Sequence, residues 1–176
     1  MKKMTILSLS AALMLAACGN EQSTDTTETD SGSATMESGK ESVKSQLMQF
    51  YLSVSKEINK EDAPLNDFEI AQAEETLPSG AELSELKEAA ATSAEQAKQA
   101  VESMEVPESL NDYQEEIDGA LASITESYEM KIEELGTEAP DFQAAADKFA
   151  EADAAFNEIL EENGLVASNL YNEVSQ

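Results

Sequence analysis

Histidine, arginine and tryptophan are absent from this 176-residue chain, and cysteine occurs once. Each gap removes a class of chemistry. Without histidine there is no Ser-His-Asp triad, no histidine-bearing zinc site and no Glu-x-x-His pair for a carboxylate di-iron bundle. Without arginine, and with few lysines on an acidic chain, phosphate neutralisation fails, which excludes nucleic acid as a partner. One cysteine cannot close an internal disulfide, so packing alone must hold the fold. Walker-type and dinucleotide glycine patterns are missing, and so is the alternation of a strand or any internal repeat. No cofactor is expected.

The longest uncharged apolar stretch runs from Met4 to Ala17, behind Lys2 and Lys3. At ~1.5 Å per residue it covers about 21 Å, short of the ~30 Å hydrocarbon core, so it reads as a secretory h-region. It closes on Leu15-Ala16-Ala17-Cys18, followed by Gly19. This layout resembles a bacterial lipoprotein signal peptide, with those four residues as its lipobox. The resemblance implies cleavage between Ala17 and Cys18, a diacylglycerol on the Cys18 thiol, and anchoring to the outer face of the cell membrane. Two acyl chains anchor stably where one is marginal, at roughly 0.8 kcal/mol per buried methylene. Gly19, the acidic segment after it and the lysine-only basic set resemble a Gram-positive lipoprotein in particular.

Removing residues 1–17 takes away Lys2 and Lys3 but no acid, so the net charge moves from −27 to −29. That field repels anionic head groups and holds the folded part off the membrane. The acids are spread over every expected helix, the pattern of a solvated surface. A cationic ligand or a basic envelope protein is the partner class the charge would attract.

Residues 18–40 hold the lipidated cysteine and a Ser/Thr-rich acidic tether with too few apolar residues to order itself. From 41 to 176 the spacing is helical. Val43, Leu47, Phe50, Val54 and Ile58 share one helix face. Pro64 and Pro78 interrupt the pattern, with a short helix expected over Asn66 to Thr76. Ser79 and Glu82 have the spacing of a capping box for a helix reaching Met104, with Leu83, Leu86, Ala90, Ala97 and Val101 inward. Pro107 is expected to open a third long helix, carrying Leu110, Tyr113, Ile117, Leu121, Ile124, Tyr128, Ile132 and Leu135, with Gly136 as its C-cap. Pro140 opens the fourth, on Phe142, Ala145, Phe149, Ala152, Phe156 and Ile159, which Asn163-Gly164 ends. Val166, Leu170 and Val174 suggest a last turn or two closing one end. The expected fold is all-α, an antiparallel four-helix bundle with a short extra helix in the first long connection and a short C-terminal helix.

Carboxylate groups such as Glu115-Glu116-Asp118, Glu133-Glu134 and Glu161-Glu162 fall beside or opposite the apolar stripes, as a solvated face would place them. Calcium has no Asp-x-Asp-x-Asp-Gly loop to bind, so no metal site is expected. Ser93 is the clearest polar residue at an inward position. Tyr51, Tyr113, Tyr128 and Tyr171 are candidates to line a pocket, although core filling is the simpler role. Leu65, Phe68 and Leu77, in the 61–80 connection, are the candidate partner contacts. The expected function is that of a non-enzymatic binding or scaffolding module of the cell envelope. The alternative is an accessory lipoprotein that binds a small ligand or cation during uptake or sensing.

Overall fold

Four long helices carry the stripes, and their connections set their directions. The computed structural model describes residues 32–166 and 168–175, with side-chain surroundings from residue 42 onward. The lipobox, its cleavage site and residues 19–31 of the expected tether lie outside the described residues. Helix α1 spans Gly32–Ile58, α2 Ala63–Ala73, α3 Ala81–Glu102, α4 Gln114–Leu135, α5 Gln143–Glu162 and α6 Leu170–Val174. No strand occurs among the described residues.

Three contacts fix the topology. Ser109, just before α4, donates to Gln46 near the start of the packed part of α1. The Tyr113 hydroxyl meets Asn163 Oδ1 at 3.1 Å, joining the start of α4 to the end of α5. Lys87 Nζ, early in α3, reaches the Thr137 carbonyl after α4 at 2.6 Å. Helices α1 and α4 therefore run one way and α3 and α5 the other, and α1, α3, α4 and α5 close a ring. This is an antiparallel helical bundle.

The first long connection departs from expectation. Helix α2 starts at Ala63, with Pro64 in its first turn where no N–H is needed. It takes over where α1 stops and covers the other half of the bundle, so α1 and α2 act as one broken helix. Ser93 bridges the break by donating to the Glu61 carbonyl at 2.6 Å and accepting from Leu65 N–H at 3.3 Å. Farther along, Phe68 meets Phe142 edge-on at 6.1 Å, and the Gln72 amide donates to the Pro140 carbonyl. Leu65 and Phe68 are fully buried, and Leu77 packs partly buried against the core. The expectation of a partner surface is corrected for Leu65 and Phe68, which close the core beyond the end of α1.

Other boundaries also shift. Helix α1 begins at Gly32, within the expected tether, because extending an existing helix is far easier than nucleating one. Gly80, not Ser79, is the N-cap of α3, and no side chain caps it, so the expected capping box does not form. Pro107 leads into a 3-10 helix over Glu108–Tyr113 before α4 starts. Gly164 ends α5 with a left-handed φ of 65°, and Leu165 N–H reaches back to the Leu160 carbonyl at 2.8 Å.

Candidate functional site

Beyond α5 the chain does not close an end of the bundle. It turns at Gly164, leaves helical form through Leu165 and Val166, and lays α6 beside the α1–α2 break and the middle of α5. Leu170 and Val174 are buried, whereas Val166, expected on the same face, is 85% exposed. Asn169 caps α6 by accepting the Asn172 N–H at 2.7 Å. The rest of the hold comes from the bundle. Asp153 of α5 accepts the N–H of Leu170 at 2.7 Å and of Tyr171 at 3.3 Å. Asn59 donates to the Glu173 carbonyl at 3.1 Å and Asn66 to that of Val174 at 2.7 Å.

Three charged side chains are buried among the described residues, Asp62, Lys131 and Asp153, and the last two touch this segment. Lys131 of α4 pairs with Glu69 of α2 at 2.6 Å. Its ammonium also lies 5.7 Å from the Tyr128 ring centre and 5.6 Å from that of Tyr171, a cation between two aromatic faces. Asp62, between α1 and α2, sits 3.5 Å from the Tyr128 hydroxyl. Tyr51 stacks edge-on against Phe156 at 5.7 Å, and its hydroxyl is buried near Ser168 and Glu173 without a well-aligned hydrogen bond.

Burial dominates the electrostatics. Loss of water pushes the Asp62 carboxyl up to about 6, against the pull of Asn66, its own backbone N–H, Lys131 and Tyr128. Asp153 is raised by burial as well, opposed by the two N–H groups it accepts. Burial lifts the Tyr128 hydroxyl well above its ordinary range, with Asp62 and Glu69 adding to the shift, and Tyr171 rises for the same first reason. The cluster can hold peptide N–H and carbonyl groups, and its Asp62 carboxyl takes up a proton as pH falls through about 6.

Of the tyrosines considered as pocket lining, Tyr51, Tyr128 and Tyr171 meet in this cluster, whereas Tyr113 borders a separate groove between α4 and α5. That groove, about 300 Å³, is open to solvent and carries Glu116, Glu158 and Glu162 around Gly119, Ala120 and Ser123. Glu115, Glu116 and Asp118 are exposed, as are Glu133, Glu161 and Glu162. Among the described residues no group of three or more acids or thiols is placed to hold a metal ion, and no helix is long and apolar enough to cross a membrane.

The sequence reading missed Asp62, Lys131 and Asp153. Two of them carried a signal. Lys131 lies three residues after Tyr128 and four before Leu135, and Asp153 lies four after Phe149 and three before Phe156, so both sit on apolar stripes. Comparison with protein-family models, curated proteins and solved structures finds no match to this chain.

Proposed function

We propose that the chain is a lipid-anchored protein of the outer face of the cell membrane, acting as a non-enzymatic helical module that presents a binding surface in the cell envelope. The observation that carries the anchor is Leu15-Ala16-Ala17-Cys18 behind a charged and then apolar leader, with no second thiol in the chain. In support of binding rather than catalysis, the buried charges are engaged with one another and with backbone groups of the C-terminal segment. A second reading, a module for a small cationic ligand, draws on the glutamates around the open α4–α5 groove.

Expression of the full chain in a Gram-positive host with an alkyne-tagged palmitate tests the proposal. The tag is expected on the membrane-fraction protein, and Cys18→Ala is expected to lose both tag and membrane retention. An untagged protein released to the medium with residues 1–17 removed would refute the anchor. Proximity crosslinking in the same cells then reads the binding role, and the absence of any partner enriched over an anchored control bundle counts against it.

A further inference from the structure

We propose that the groove beneath the C-terminal segment is a peptide-binding site, which the chain fills in cis with its own residues 169–175. Its ligand in trans is a partner's short peptide that folds into one helical turn on docking, with apolar residues four apart and an aromatic residue after the first. The proposal rests on the binding-module reading above and gives that module a site and a ligand class.

The groove has the make-up of a recognition site more than of a core seam. Much of what it offers is addressed to backbone: Asp153 takes two N–H groups, and Asn59 and Asn66 each donate to a carbonyl. Side-chain selectivity comes from the seats of Leu170 and Val174 and from the Lys131 ammonium, against which the Tyr171 ring rests. The buried Tyr51 hydroxyl, 1% exposed, faces this same segment with no aligned partner. Away from the segment, among the described residues, buried Ser93 and Ser127 each tie one helix to a neighbouring backbone.

The occupant is built to exchange. A five-residue helix cannot hold itself, since isolated helices below ~12–15 residues are marginal, so the groove imposes the turn. It hangs on a connection that starts at a left-handed glycine and carries Val166 in the open. A tether this short gives the segment an effective concentration on the order of millimolar, enough to exclude a weak competitor until the segment is released or outcompeted.

A site-specific protease sequence placed beside Val166 in the full chain allows the segment to be cut free in the folded protein. The probe is a fluorescein-labelled peptide of residues 168–175, Ser-Asn-Leu-Tyr-Asn-Glu-Val-Ser, read by fluorescence polarisation with helical circular dichroism alongside. The cut chain is expected to stay helical and bind the peptide saturably, while the uncut chain binds at least about tenfold more weakly, given the millimolar competitor in cis. Replacing the peptide's leucine by aspartate, or Asp153→Asn in the cut chain, is expected to weaken binding by a similar factor. Unfolding on cleavage, a cut segment that never exchanges, or equal binding to cut and uncut chains would each overturn the proposal. None of these outcomes bears on proximity crosslinking in intact cells, so failure here and failure of the binding-module reading are distinguishable.

Discussion

Asp62 carries a cost that depends on pH. The residue is 2% exposed, and burial pushes its carboxyl up to about 6 in the fold, against 3.8 for the ordinary group. A raised acid binds its proton more tightly when folded, so stability increases as pH falls from about 6 toward 4 and is lost again as pH rises through 6. The displacement corresponds to roughly 2–3 kcal/mol, since each tenfold gain in proton affinity is worth about 1.4 kcal/mol. Asp62→Asn keeps an acceptor for its neighbours and removes the charge. We expect the variant to be about 1–2 kcal/mol more stable than the parent at pH 8 and equal to it near pH 4, in urea titrations at both pH values. General acid relaxation of so negative a molecule affects both proteins, so the difference between them isolates this carboxyl. Parallel pH profiles would show that Asp62 is not the source. The same residue marks the limit of sequence reading. An aspartate at the end of a helix, ahead of a proline, reads as a solvated cap. Only the packing of Tyr128, Asn66 and Lys131 around it, from α2 and α4, puts it under cover.

At the scale of elements, periodicity made α3, α4 and α5 legible, because their stripes bury continuously and their ends coincide with Gly80, Leu135 and Gly164. The break between α1 and α2 was less legible. Pro64 announced an interruption, but the colinear resumption depends on Ser93 reaching across from α3, a contact between residues 28 positions apart. The C-terminal segment was misplaced for a similar reason: its seat consists of side chains from α1, α2, α4 and α5, and no local pattern records it. Boundary chemistry gives a test. After α2, Glu75 adopts a left-handed φ of 58°, and Thr76 N–H closes onto the Ala71 carbonyl at 2.9 Å. A side chain in this conformation costs about 1 kcal/mol relative to glycine. Glu75→Gly is expected to raise stability by about 0.5–1 kcal/mol, while Ser79→Ala, just before the Gly80 cap and with no capping hydrogen bond to lose, stays within about 0.5 kcal/mol of the parent. Denaturant midpoints at constant slope check both. A Ser79→Ala loss above 1 kcal/mol would mean that the capping box forms after all.

For the whole molecule the governing quantity is a net charge of −27. Several lysines are already engaged: Lys98 sits between Glu95 and Glu129, Lys148 between Glu126 and Glu151, and Lys131 on Glu69. The exposed pairs of Lys98 and Lys148 contribute at most about 1 kcal/mol each, Lys131–Glu69 being buried, and ten lysines against 37 acids leave most carboxylates unpaired. Self-repulsion therefore opposes compaction, and salt should relieve it more than it weakens the pairs. Raising sodium chloride from 0.01 to 0.15 M shortens the screening length from ~30 to ~8 Å, below the spacing of acids on opposite faces of the bundle. The melting temperature is expected to rise across that interval by roughly 3–6 °C, as about 1–2 kcal/mol of relief would give at this chain length. A flat or falling curve would mean that the ion pairs outweigh the repulsion. The cation matters too. Magnesium or calcium chloride at matched ionic strength should act like sodium chloride if screening is the whole effect. A distinctly larger rise with either would mean that carboxylates such as those around the α4–α5 groove bind the ion directly, and would favour the cationic-ligand reading of the module over the protein-binding one.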